Sequence, residues 1–155
     1  MAKSKPLGQL GQDLRGALEL GIETTTHTMV NELKKRGPYY SGDFEAAWVV
    51  EPGQKRIAST RQEKPIPSTK GKKTRQVTPV SVPLPALEKG YTVGNEMEYA
   101  DIAMDLKPNE FGQFRHEYGD QEVGKDWFER YMLGGDLSKD IENSVTEGFR
   151  IAGFK

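Results

Sequence analysis

The chain contains no cysteine, only two histidines and no long apolar run. Each shortage excludes a class of function. Without thiols there are no disulfides, no cysteine-held metal and no thiol nucleophile. The lack of cysteine also fits a reducing, cytosolic setting. No stretch approaches the roughly 20 apolar residues of a membrane span. The first twelve residues (MAKSKPLGQLGQ) lack the apolar centre of a signal peptide, so none is expected. Apolar supply is short overall. Leu, Ile, Val and Phe make up about a fifth of the chain, close to the level of about 20% below which chains stay unfolded. A core is expected, but a thin one. A length of 155 residues suits one domain over 1–155, with residues 54–90 as an extended basic loop or hairpin arm.

The two histidines offer no metal or catalytic pattern. His27 falls in a helical stretch and His116 in a charged loop, and neither has a second histidine at the H-E-x-x-H spacing. No serine sits in a G-x-S-x-G elbow. The run Thr69-Lys70-Gly71-Lys72-Lys73-Thr74 lacks the paired glycines of a phosphate loop. Asp101 and Asp105 can share a helix face, but without a histidine or another ligand they read as solvated surface. The expectation is a chain that is not an enzyme and takes no cofactor or metal.

Charge, by contrast, is plentiful and unevenly placed. The net charge is −1 overall, yet it divides into −1 over residues 1–51, +7 over 52–93 and −7 over 94–155. Such asymmetry bears on partners. The basic side chains Lys55, Arg56, Arg61, Lys64, Lys70, Lys72, Lys73 and Arg75 are the candidate interface residues. They can neutralise phosphates without reading sequence. They can equally lie on acidic surface of the same chain or of a neighbouring copy, or form a solvated loop. No aromatic residue occurs between Gln54 and Gly90, so the stacking platforms of single-strand binders are missing there.

Periodicity sets the expected elements. Leu7, Leu10, Leu14, Leu18, Ile22, Met29 and Leu33 share one helical face and predict a helix within 7–35. It is expected to begin near Leu10, to bend near Gly21 and to stop at Arg36 before Gly37-Pro38. Phe44, Ala46, Trp48 and Val50 alternate, predicting a strand over 44–51, with residues 54–60 returning after the Pro52-Gly53 turn. Residues 61–76 read as a flexible basic loop. The proline-flanked Val80, Val82 and Leu84 are at most an edge strand. A short strand over 91–95, a helix over 98–106, a loop over 108–121 and a helix over 122–133 follow. A last helix is expected after an Asp136 cap, with Leu137, Ile141, Val145, Phe149 and Ala152 as its stripe. The fold class is therefore α+β: a small antiparallel sheet packed by a long N-terminal helix and C-terminal helices, with a long basic arm.

Two short motifs stand out. The first is Gly37-Pro38-Tyr39-Tyr40-Ser41-Gly42-Asp43-Phe44-Glu45-Ala46-Ala47-Trp48, and the second is Val93-Gly94-Asn95-Glu96-Met97-Glu98-Tyr99-Ala100. As folding features, Gly42 and Gly94 allow backbone angles that other residues resist. Asn95 can cap the turn or helix that follows. Tyr99 and Ala100 can dock that helix on the sheet. With the helical C-terminus after Trp127-Phe128, these stretches resemble the family of small tailed-phage proteins that complete the tail and join it to the head, variously called tail-terminator, tail-completion, minor tail or neck proteins. The matching positions are Ser41-Gly42, Phe44, Ala47-Trp48, Gly94-Asn95 and Tyr99-Ala100. The chain departs from the family at Asp105-Leu106-Lys107-Pro108, where a glycine is common, and in its longer basic stretch from Lys55 to Glu88. The resemblance implies a structural virion protein, made in the host cytoplasm and carried in the neck. It implies a homo-oligomeric ring, as a hexamer, whose copies pack head to tail and contact other neck proteins and the tail tube. The basic arm would fold on meeting an acidic neighbour, or Lys70, Lys72 and Lys73 would line the lumen and touch passing DNA.

Overall fold

A computed structural model describes residues 6–37, 42–62, 80–83, 89–104 and 127–154. Helix α1 (Leu7–Arg36) comes first. A helical turn, α2 (Asp43–Ala46), and strand β1 (Trp48–Pro52) follow. Then come β2 (Tyr91–Asn95), the short helices α3 (Ala100–Met104) and α4 (Trp127–Leu133), and the final helix α5 (Asp136–Ile151). The α+β class is as expected: a two-stranded antiparallel sheet lies against a long N-terminal helix and C-terminal helices. The basic stretch from 63 to 79 and residues 84–88, 105–126 lie outside the described residues, so the expectations for the loops over 61–76 and 108–121 largely fall there too.

Helix α1 begins at Leu7, a turn earlier than expected, with the Pro6 carbonyl accepting from the Gln9 and Leu10 N–H groups. It continues through Gly21 as one helix. Lys34, Lys35 and Arg36 in its last turn face the negative end of the helix dipole. Gly37 ends it, donating its N–H to the Leu33 carbonyl at 3.0 Å.

The strand expected over 44–51 is corrected at its start. Gly42 adopts φ 88°, a left-handed geometry that suits glycine, and opens the α2 turn. Asp43 and Glu45 are favourable charges at that helical start. The turn buries Phe44 and Ala47 together, three residues apart, whereas a strand would have put them on opposite faces. The strand proper starts at Trp48 and buries Trp48 and Val50.

The partner of β1 is also corrected. Residues 54–60 form no strand, and β2 pairs with β1 instead, Trp48 opposite Asn95 and Val50 opposite Val93. The physical reason is apolar supply. Ile57 is the only large apolar residue of 54–60, whereas Tyr91 and Val93 alternate into the core. Residues 55–61 run beside β2 in its own direction. Lys55 N–H donates to Thr92 Oγ1 (3.1 Å), Ile57 packs against Gly94, and Arg61 bridges to Met97. Residues 80–83 likewise form no strand, although Val80 and Val82 pack on the core.

Helix α5 runs antiparallel along α1, as three contacts show. Arg36 pairs with Asp136 at 2.8 Å, Ser144 Oγ meets Thr28 Oγ1 at 3.3 Å, and Gly148 lies against Gly21 and Ala17. A Cβ on Gly148 would stand 2.7 Å from Gly21 Cα and N, so the two helix backbones touch. The expected Asp136 cap is corrected: Gly135, at φ 92°, holds the cap position, and Asp136 is the first helical residue. The Asp136 carboxylate turns to the Arg36 guanidinium instead.

Candidate functional site

Gly42, Phe44, Trp48, Gly94, Asn95, Tyr99 and Ala100 come together as one packed unit, although more than forty residues of chain separate the two motifs. Asn95 joins them. Its side chain is buried, and its Nδ2 donates to the Phe44 carbonyl at 2.8 Å. Its Oδ1 accepts from the Met97 N–H at 3.0 Å. The Glu96 N–H donates to the Ala47 carbonyl at 3.0 Å, so the segment is bound at both ends. The capping role expected of Asn95 is thus what the geometry contains.

Phe44 is the hub of the aromatic core. Trp48 and Trp127 meet it edge-on at centroid distances of 5.9 and 6.4 Å, and Tyr99 stacks on it at 6.1 Å. Trp127 Nε1 donates to the Ala103 carbonyl at 2.9 Å, which ties α4 to α3. Ala100 and Ala103 are buried and allow that close approach. The expectation for Gly94 is corrected. It has no positive φ. Its requirement is space, because a Cβ there would stand 2.7 Å from Ile57 Cδ1.

The candidate basic residues fare differently. Lys55 is exposed and pairs with Glu51 at 3.1 Å. Arg56 is exposed. Arg61 is half-buried and structural: its Nη1 donates to the Ala46 carbonyl at 3.2 Å, and its backbone exchanges bonds with Glu96 and Glu98. Lys64, Lys70, Lys72, Lys73 and Arg75 lie outside the described residues.

Other charges were not expected inside. Lys34 and Glu45 are both buried. Burial pushes the Lys34 ammonium below its ordinary pKa, against the opposing pull of Glu45. At the α1–α5 corner, Arg36 sits over the Tyr131 ring at 4.9 Å, and Tyr131 donates to Asp140 Oδ2 at 3.0 Å. Burial first, then the bond to Asp140, raise the Tyr131 phenol well above its usual range.

The apolar face expected of α1 holds in part: Leu33 is buried and Met29 packs on the core, but the N-terminal leucines do not join them. Its buried residues are Ala17, Gly21, Thr26, Val30, Leu33 and Lys34. Leu7, Leu10, Leu14 and Leu18 stand 86%, 44%, 42% and 38% exposed. Leu133 (79%) and Ile141 (40%) are exposed at the other end of the α1–α5 pair. A usable signal was present: the small residues Ala17, Gly21, Ser144 and Gly148 mark where two helices approach closely.

Among the described residues there is no group of three or more His, Asp or Glu able to hold a metal ion, and no helix long and apolar enough to cross a membrane. His27 is half-buried on α1, and His116 and Asp105 lie outside the described residues. Comparison with protein-family models, curated proteins and solved structures gives no match.

Proposed function

We propose that this chain is a structural virion protein of the phage neck, forming a ring that terminates the tail and joins it to the head. The observation that supports this reading is the packing of the two motif stretches. The residues that carry the resemblance, from Gly42 to Trp48 and from Gly94 to Ala100, form one hydrogen-bonded unit around Asn95 and Phe44. What they build is architecture, which suits a protein whose work is assembly. In the proposed ring, six copies pack head to tail through heterologous contacts that close. The basic stretch meets acidic surface of the next copy or layer, and other neck proteins and the tail tube cover the two rims.

Gold-labelled antibody against the recombinant protein, imaged on intact virions, tests the reading. Label confined to the head–tail junction is the expected result. Virions free of the protein overturn it. A second reading, a small nucleic-acid-binding accessory or assembly protein using the basic 55–75 loop, draws on the exposed Lys55 and Arg56. It requires DNA or RNA affinity by the isolated chain that falls steeply with salt.

A further inference from the structure

Arg15, Lys35, Arg36, Lys139 and Arg150 each have a carboxylate within 4.0 Å. Arg56 and Lys89 differ. Both are exposed, and among the described residues neither has a hydrogen bond or an ion pair. They stand at one place. The Gly53 N–H donates to the Gly90 carbonyl at 2.9 Å, and a Cβ on Gly53 would stand 3.9 Å from Lys89 Cβ. The Thr92 hydroxyl donates to the Gly53 carbonyl and accepts from the Lys55 N–H. Lys55, Arg56 and Lys89 therefore gather at the Gly53–Gly90 end of the sheet, although the whole basic stretch separates Arg56 from Lys89 in the chain.

Little opposes this charge. Lys55 pairs with Glu51, but both side chains are about half exposed, and such surface pairs are weak enough for another anion to take the lysine. Burial, then Glu23 and Glu19 of α1, raise the Tyr91 phenol. Tyr91 packs on the core, and Thr92, the next residue of the strand, points to the opposite face. Those carboxylates and the Lys55 segment are thus on opposite sides of the sheet. The other exposed residues of the segment, Gln54, Ala58, Ser59 and Thr60, are polar or small. A protein partner would call for aromatic or large apolar anchors, and none is exposed among the described residues at this end. A row of phosphates calls for none, since cations neutralise it without reading sequence. A single strand would call for stacking aromatics, which are absent between Gln54 and Gly90.

We propose that the Gly53–Gly90 end of the sheet is a contact surface for the phosphate backbone of duplex DNA, with Lys55, Arg56 and Lys89 as its contacts. The turn hydrogen bonds fix the backbone at these positions, so the three cations are held together by the fold rather than by their order in the chain. They belong to the segment 52–93 that carries +7. The contact is independent of sequence. The inference deepens the nucleic-acid reading above and rests on it. Lys89, outside the 55–75 loop, is the residue it adds.

The patch variant combines Lys55→Gln, Arg56→Gln and Lys89→Gln in the full chain. The control combines Arg15→Gln, Lys139→Gln and Arg150→Gln, which removes the same charge from α1 and α5. All six side chains are exposed, and unchanged circular dichroism verifies the fold. Binding of a short fluorescent DNA duplex is read by anisotropy from about 50 to 200 mM salt. Each phosphate contact contributes about 0.9 to the slope of log affinity against log salt. The slope of the patch variant is expected to fall by about 2–3, and that of the control to stay with the native chain. A native chain that does not bind the duplex overturns the proposal and the nucleic-acid reading together. Native binding with an unaltered slope in the patch variant overturns this surface alone and leaves that reading standing. An equal fall in the control reduces the effect to net charge and overturns the surface too. Poly-glutamate that displaces the duplex at equal charge concentration points to an acidic protein as the partner, and likewise overturns it.

Discussion

Asn95 holds two motifs together with two hydrogen bonds, and both of its partners are backbone groups inside the core. Asn95→Ala leaves the Met97 N–H without that partner, while the Phe44 carbonyl keeps the Ala47 N–H at 3.3 Å. One buried unsatisfied group costs about 1–3 kcal/mol, so a loss of that size is expected, read as a lower urea midpoint with an unchanged slope. An effect within about 0.5 kcal/mol, the range of ordinary surface substitutions, means that the bonds are not what joins the motifs. Tyr131 makes a second residue-scale prediction. Burial and then its bond to Asp140 raise its phenol pKa in the folded state. An unfolded tyrosine ionises near about 10. The stability that comes from keeping the proton is therefore complete below about pH 10 and is lost as pH rises beyond it. Thermal midpoints should fall above that pH in the native chain, and less steeply in Tyr131→Phe. Parallel curves exclude the linkage. Tyr91, also raised by burial and then by Glu23 and Glu19, adds a slope of the same sign.

At the scale of elements, α1 and α5 are held by what their contact lacks. Gly148→Ala inserts a methyl group 2.7 Å from the Gly21 backbone, so one helix must move off the other. Such overpacking costs about 1–3 kcal/mol, partly offset by about 1 kcal/mol of better helix propensity. Gly16→Ala is the control, since its Cβ meets nothing within 4 Å. There the propensity gain stands alone, and the chain should become more stable by up to about 1 kcal/mol. Opposite signs in chemical denaturation are the expected outcome, and equal signs refute the close crossing. This pair also explains what was legible. Repeating apolar residues revealed that α1 and α5 exist, because periodicity reports a helix. The face each helix buries first was hidden, because Gly21, Ser144 and Gly148 carry no hydrophobic signal. The turn at 43–46 was hidden for a similar reason: Phe44, Ala46, Trp48 and Val50 fit a period of two, and only the left-handed geometry at Gly42 reveals that a helical turn comes first.

At the scale of the whole molecule, one row of leucines has two different fates. Leu33 is 1% exposed in the core, whereas Leu10 and Leu14, on the first turns of α1, are 44% and 42% exposed. Sequence reading treats them alike because of their spacing, and the position of the aromatic core decides between them: Leu33 packs in the cluster of Phe44, Trp48 and Trp127, to which α1 contributes only Val30 and Leu33 as buried residues. The candidate basic residues were legible as composition and illegible as roles. Arg61 belongs to the fold because its partner is the Ala46 carbonyl, fifteen residues away, which no local pattern indicates. The leucine row yields a test that separates folding from assembly. Leu33→Ala should cost about 2–5 kcal/mol of stability, as buried leucines do. Leu10→Ala with Leu14→Ala should cost the single chain far less, because more than a third of each side chain already meets water. If the first turns of α1 are an assembly surface, the double variant should nonetheless lose self-association in sedimentation velocity, with a urea midpoint that falls far less than that of Leu33→Ala. A midpoint that falls as far as that of Leu33→Ala would instead place these leucines in the core of the folded chain.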